Sequence, residues 1–239
     1  MRSLPLLALF CCLQGAAAAS VVLDFHASAG TPASQGWLNR GGILAEQALA
    51  SDLGLPAWQI SGNGCCGYRY QPVSETWASI FAEGWTLSAQ ARVQTGTGYG
   101  YVTLDTPAGF NRFDLLLQLN PNGDTNAFLF TGDLADRSFQ VTLAGNAYHL
   151  YEIRYDPSTA SATLWIDGVE RLSGYTGNTF FRENHGPFFG SNSDLSTKAN
   201  FNFVRFASGD AAAQDVPEAA SMICSGLGLL VMGLWQRRR

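Results

Sequence analysis

Trp85-Thr86-Leu87-Ser88-Ala89-Gln90-Ala91-Arg92-Val93 is the stretch whose reading decides the fold. Trp85, Leu87, Ala89, Ala91 and Val93 alternate with Thr86, Ser88, Gln90 and Arg92. Successive side chains of an extended chain point to opposite faces, so this is a β-strand with one dry and one wet face. The same two-residue period returns at 99–105, 113–119, 127–131, 139–143, 148–155, 162–166 and 201–206, each bounded by Gly, Pro, Asn or Asp. Many short strands at such spacing predict a sandwich or barrel. Between 162–166 and a further strand at 169–172 stands Asp167-Gly168, which readily takes the positive φ values of a tight hairpin. Two short accessory helices are expected, at 43–53 and at 74–82. In the second, Ser74 would cap and Trp77, Ile80 and Phe81 share a face.

The chain has 239 residues, a formal net charge of -5, 26 glycines, 12% aromatic and only 14% charged residues. That balance suits short strands joined by tight turns. Basic residues are scattered except at the very end, so no electrostatic footprint for nucleic acid exists. One domain over 20–210 is expected, long enough to bury a substantial core, with a linker at 211–215 beginning Ala211-Ala212-Ala213.

Both ends read as export machinery. Arg2, an apolar run over 4–13 and small residues over 16–19 make a signal helix at 1–19, with cleavage by signal peptidase expected after Ala19. At the other end come Val216-Pro217-Glu218, an apolar stretch over 222–235, and the cluster Arg237, Arg238 and Arg239. The stretch is marginal for a helix that crosses a bilayer, which needs about twenty residues, yet terminal arginines hold such a tail at cytoplasmic headgroups. A plain membrane anchor would have the same three zones. Val216-Pro217-Glu218, Gly226-Leu227-Gly228-Leu229-Leu230 and the arginines resemble the PEP-CTERM sorting signal, with Ala219 where that family usually has its second proline. The resemblance implies processing by an exosortase-type enzyme, passage through the membrane by the C-terminal hydrophobic helix, and a final place in the cell envelope, outer surface or extracellular matrix of a bacterium.

Of five cysteines, Cys11 and Cys12 leave with the signal and Cys224 lies in the tail, so the mature domain keeps only Cys65 and Cys66. In an oxidising compartment the adjacent pair would form a strained vicinal disulfide, or else remain as two partly buried thiols.

Gly84-Trp85-Thr86-Leu87-Ser88, Tyr148-His149-Leu150-Tyr151-Glu152-Ile153, Ala162-Thr163-Leu164-Trp165-Ile166-Asp167-Gly168-Val169 and Ala199-Asn200-Phe201-Asn202-Phe203-Val204-Arg205-Phe206 resemble strands of laminin-G-like or concanavalin A-like lectin/glucanase domains. The resemblance spans about residues 20–207. It implies an all-β, two-sheet antiparallel jelly-roll sandwich, and marks fold more than function.

Hydrolysis of a glycosidic bond needs two carboxyl groups facing each other across the sugar. The Glu-x-Asp-x-x-Glu run of the family's glucanases is absent, and Glu152 with Asp156 reads as strand-end solvation. His26, His149 and His185 lie far apart at no metal-ligand or triad spacing, and His149 reads as structural. Laminin-G-like domains often hold calcium. The oxygen-bearing stretch Asn120-Pro121-Asn122-Gly123-Asp124-Thr125-Asn126 has the composition of an ordinary turn, and no cofactor is expected beyond that ion. A sugar-binding role fits better, since sugars pack on aromatic faces. Trp165, Tyr68, Tyr70, Tyr99 and Tyr101 are the candidate ligand-binding residues, with Arg69 and Tyr175 beside predicted turns. The leading reading is a non-catalytic surface sandwich that binds polysaccharide. A glycoside hydrolase of the same fold and a structural surface protein without a ligand are the alternatives.

Overall fold

The stretch that begins at Trp85 becomes the strand β6 (Trp85–Thr95), at the centre of one of two antiparallel sheets. The computed structural model describes residues 22–62, 66–71, 77–180, 185–192 and 196–209. Chain order brings β1 (Val22–His26), two 3-10 turns, β2 (Leu38–Asn39), β3 (Ile43–Asp52), β4 (Leu55–Gly62), β5 (Cys66–Arg69) and the helix α1 (Trp77–Glu83). After β6 come β7 (Tyr99–Asp105), β8 (Phe113–Leu119), β9 (Thr125–Leu129), β10 (Gln140–Leu143), β11 (His149–Asp156), β12 (Ser161–Ile166), β13 (Val169–Tyr175), β14 (Gly186–Asn192) and β15 (Lys198–Ser208). The eight-stranded sheet runs β13-β12-β11-β6-β15-β4-β3, with β1 also paired to β15. The seven-stranded sheet runs β10-β9-β8-β7-β14-β5-β2.

The protein is therefore an all-β sandwich. Leu87, Ala89, Ala91 and Val93 of β6 face Val102 and Leu104 of β7, Leu115 and Leu117 of β8, and Phe189 of β14 in one apolar core. The Trp85 ring stacks on Tyr155 at 5.4 Å and meets Phe113 edge-on at 4.9 Å, closing one end of that core. The alternation that reads as a dry face in the sequence is thus the inner face of the sandwich.

The wet face of β6 behaves differently from its reading, because Thr86, Ser88 and Arg92 are buried. Neighbouring strands explain it. Glu152 lies opposite Ser88 on one side and Arg205 opposite it on the other, so long polar side chains cover the small ones. Arg92 donates from Nε to Asp52 at 2.8 Å, and the same carboxylate accepts from Tyr148 at 2.7 Å and Asn200 at 2.6 Å. Burial pushes the Asp52 carboxyl up, but these hydrogen bonds and the Arg92 charge outweigh it and hold Asp52 below its ordinary value.

The expected helix at 43–53 is a strand, β3. Ala, Leu, Glu and Gln favour a helix locally, yet the preference amounts to only tenths of a kcal/mol per residue. Pairing with β4 overrides it, through a turn at Leu53 (φ 52°) and Gly54 (φ 88°), the conformation of a tight hairpin. The second helix is real as α1, whereas its expected cap, Ser74, lies outside the described residues. The Asp167-Gly168 hairpin forms with φ 52° and 76°. The Asp167 carboxylate accepts the Leu150 N–H at 2.9 Å and contacts Nδ1 of His149 at 2.6 Å, so His149 has a structural duty. The strands expected at 127–131 and 148–155 sit at Thr125–Leu129 and His149–Asp156, shifted by a residue or two at their ends.

Five strands had no counterpart in the sequence reading, among them β4 and β14. Pro56, Pro187, Gly186 and Gly190 mask them. Gly190 is needed for contact: a Cβ there would lie 1.9 Å from the carbonyl oxygen of Cys66 on β5. The signal helix expected at 1–19, the expected linker at 211–215 and the tail from Val216 to Arg239 lie outside the described residues, as does Cys65. Cys66 is buried and its thiol donates to the Ser191 carbonyl at 2.9 Å. Among the described residues no helix is long and apolar enough to cross a membrane.

Candidate functional site

The outer face of the seven-stranded sheet is set by the same period of two that builds the core. Val102 and Leu104 point inward, so Tyr99, Tyr101, Thr103 and Asp105 of β7 point outward. On β8, Leu115 and Leu117 point inward while Asp114 and Leu116 point outward. Phe188 and Asn192 of β14 and Arg69 of β5 share this outer face by register. Arg112, just before β8, joins it through an isolated bridge to Asn178.

Four charged side chains are buried beneath this face. Asp105 sits between Arg69, to which it is ion-paired, and Nε of Arg112 at 2.8 Å. The Nη2 of Arg112 reaches Asp114 at 2.7 Å. Asp114 also accepts from Thr103 at 2.6 Å and Asn178 at 2.8 Å, and Asn178 further donates to the Phe130 carbonyl at 3.0 Å. Burial pushes the Asp114 carboxyl up; the Arg112 charge and the two hydrogen bonds pull against it. Arg69 lies over the Phe188 ring at 5.2 Å, and Phe188 stacks on Tyr101 at 5.1 Å.

Over this array opens a cavity of about 190 Å³ lined by Tyr99, Tyr101, Arg112, Asp114, Leu116, Phe130, Leu134, Phe180 and Asn192. Its floor is the buried Arg112–Asp114 pair, and its rim includes Phe180 and Leu134, at 56% and 46% exposure. Apolar walls with a few convergent polar groups are the usual make-up of a small-ligand site. A separate rim cavity of similar size, about 190 Å³, lies between Phe81, Phe110, Tyr155 and the Asn111 and Thr176 side of the bridge.

The candidate residues from the sequence divide sharply. Tyr99 and Tyr101 line the pocket, Tyr101 with its hydroxyl donating to the Cys66 carbonyl at 3.1 Å. Tyr68 belongs to the core at 3% exposure. Its hydroxyl donates to Glu46 at 2.7 Å, and burial with that carboxylate pushes its pKa up. Tyr70 packs edge-on against Trp37 at 5.8 Å, and Tyr175 is wholly buried. Trp165 does alternate outward from Leu164 and Ile166, but from the eight-stranded sheet, on the opposite side of the sandwich from Tyr99. One face of its indole is covered by the Arg154 guanidinium at 4.5 Å, which also pairs with Glu152 at 2.9 Å. Asp156 accepts the Ser158 N–H at 2.8 Å in the next turn.

The other lining residues, Arg112, Asp114, Leu116, Phe130, Leu134, Phe180 and Asn192, carry no local motif that marks them as site residues. The available signal was on β8, where apolar Leu116 stands at a position that the alternation makes wet. In the 120–126 stretch, Asn120 and Asn126 exchange hydrogen bonds of 3.0 and 2.9 Å, and Asn122 donates to Asp124 at 2.8 Å, the internal bonding of a strand connection. Among the described residues no group of three or more His, Cys, Asp or Glu is placed to hold a metal.

Fold and site together define a two-sheet antiparallel sandwich with a ligand-sized pocket on the outer face of its seven-stranded sheet. No family model matches the chain. It is 26% identical over 155 residues to a sialidase of Vibrio cholerae serotype O1, a match covering 62% of this chain and 19% of the sialidase. The chain thus spans about a fifth of the curated relatives it matches. Among solved structures, its fold is similar to that of a carbohydrate esterase from the Shiga toxin-encoding bacteriophage phi24B, with TM-score 0.60 and 14% identity, covering 78% of this chain and 97% of that one. It is also similar to a protein of unknown function from Shewanella oneidensis MR-1, with TM-score 0.51 and 13% identity over 80% and 87% of the two chains.

Proposed function

We propose that the chain is an exported, surface-sorted, non-catalytic sandwich of the concanavalin A-like and laminin-G-like kind, which binds polysaccharide of the extracellular matrix or biofilm. The observation that carries this is the outer-face pocket, where aromatic and aliphatic walls surround a guanidinium and a carboxylate. Aromatic faces pack on sugar C–H surfaces while the polar floor takes hydroxyls. The partial likeness to a sialidase supports a carbohydrate ligand. The binding reading is preferred to hydrolysis because both carboxylates under the site are bound to Arg112. Held by that guanidinium, neither has the freedom that a general acid or a nucleophile needs.

Phe180 is exposed, so Phe180→Ala should leave stability within about 0.5 kcal/mol of the parent. Its affinity in glycan binding should fall about 10-fold, which is about 1.4 kcal/mol. Unchanged affinity would remove this pocket as the site. No binding of the parent to any glycan would favour a structural surface protein.

Sorting has a direct readout in intact mass from membrane and medium fractions. The expected species begins at Ser20 and lacks the segment beyond about Pro217, through signal peptidase and an exosortase-type enzyme. A tail intact through Arg239 in both fractions would instead support a plain anchor.

A further inference from the structure

The geometry points to a pocket that takes one neutral sugar ring at the end of a glycan chain, rather than an internal stretch of polysaccharide. This rests on the reading of the same pocket as the carbohydrate site.

Size gives the first argument. The cavity holds about 190 Å³. A hexopyranose with its hydroxyls fills roughly 150–200 Å³ at the packing density of protein interiors and organic crystals. Sites that bury larger, drug-sized ligands begin at about 300 Å³. The space matches one ring, and further units would lie toward its open mouth. Exposed Phe180 and Leu134 stand at the mouth, so that the rest of a glycan would leave toward solvent.

Charge gives the second argument. Arg112 and Asp114 are the only charged groups among the described lining residues. Beneath them, Arg69 and Arg112 face Asp105 and Asp114, two cations against two anions with formal charges that cancel. Among the described residues no uncompensated cation is left for a carboxylated or sulfated sugar, and such a group would enter beside the Asp114 carboxylate as well as the already paired Arg112. Like charges at short range in a partly dry site are strongly unfavourable.

Hydrogen-bonding capacity gives the third. Arg112 has five N–H donors; its Nε lies 2.8 Å from Asp105 without completing a hydrogen bond and its Nη2 lies 2.7 Å from Asp114, which leaves N–H groups for a ligand. Asp114 receives Thr103 and Arg112 on Oδ1 and Asn178 on Oδ2, which leaves lone-pair capacity on Oδ2. Donor and acceptor side by side match two adjacent sugar hydroxyls, each of which both gives and takes a hydrogen bond. The Asn192 amide at the rim offers a second such pair. Buried partners fix the Arg112 and Asp114 side chains before any ligand arrives, so little ordering is needed on binding.

Calorimetric titration of the full chain tests this with neutral hexoses, their methyl glycosides, the corresponding hexuronic acids, and oligosaccharides of two to six units. Affinity for the best neutral monosaccharide should lie within about 3-fold of that for oligosaccharides ending in it, and the matching uronic acid should bind at least 10-fold more weakly. Phe180→Ala should weaken monosaccharide and oligosaccharide alike. Affinity that climbs 10-fold or more with length, or a preference for the uronic acid, would overturn the chain-end inference while leaving carbohydrate binding in place. Absence of binding to every sugar and to intact polysaccharide would overturn the carbohydrate reading itself.

Discussion

Replacing Arg112 with methionine is expected to lower the unfolding free energy by about 3–5 kcal/mol and to abolish glycan binding, because it leaves buried carboxylates without their shared cation. Asp105 would keep Arg69, whereas Asp114 would keep only neutral donors, Thr103 and Asn178. Arg112→Lys should recover little of the loss. A single ammonium cannot reach Asp105 through one nitrogen and Asp114 through another, as the guanidinium does at 2.8 and 2.7 Å.

The pH dependence separates lost charge from lost packing. Burial already raises the Asp114 carboxyl in the parent, and removing Arg112 raises it further. A carboxyl raised in the folded state binds its proton more readily there than in the unfolded chain. Its contribution is therefore fully present below the unfolded value and is lost as pH rises through the folded one. The Arg112→Met deficit should accordingly be largest near neutrality and shrink as pH falls. Urea unfolding across that range measures it, and a deficit independent of pH would mean that packing, not charge, is responsible.

Trp85→Ala should cost a similar amount, about 3–5 kcal/mol, by opening a cavity at the closed end of the core. Trp85 is 1% exposed and touches Tyr155, Phe113 and Phe206 in one aromatic cluster. Those rings are themselves braced by one another and by Phe81, so the site collapses poorly. Against the roughly 5–15 kcal/mol total of an ordinary domain, the variant should be close to unfolding at 37 °C. Trp85→Phe should cost under about 1.5 kcal/mol, since the indole N–H has no hydrogen-bond partner among the described residues and nothing polar is lost with it. Equal costs for both variants in denaturant unfolding would contradict a packing role.

Alternation and turn chemistry made the sandwich legible without coordinates. Trp85 through Val93, the 99–105 and 113–119 strands and the Asp167-Gly168 hairpin all follow from local rules, since a side chain's face is settled by its own position in the strand. Those rules also turn Trp165 outward from Leu164 and Ile166 and put Tyr99 and Tyr101 near turns or wet faces. They could not say which sheet each strand would join, and that assignment decides the site. Tyr99 and Tyr101 went to the seven-stranded sheet, where β8, β14 and the bridge from Arg112 to Asn178 complete a pocket. Trp165 went to the other sheet, beneath Arg154. The strand β3 was lost to a helical reading for the same reason, because its hydrogen bonds belong to β4 and not to its own turn of chain.

The sequence alone determined that successive residues would part to two faces, and hence that two sheets would stack. Only the tertiary structure decided that Arg69, Asp105, Arg112 and Asp114 would meet. The most distant ion-paired members, Arg69 and Asp105, stand 36 positions apart, and it is strand pairing through β14 that aligns their backbones.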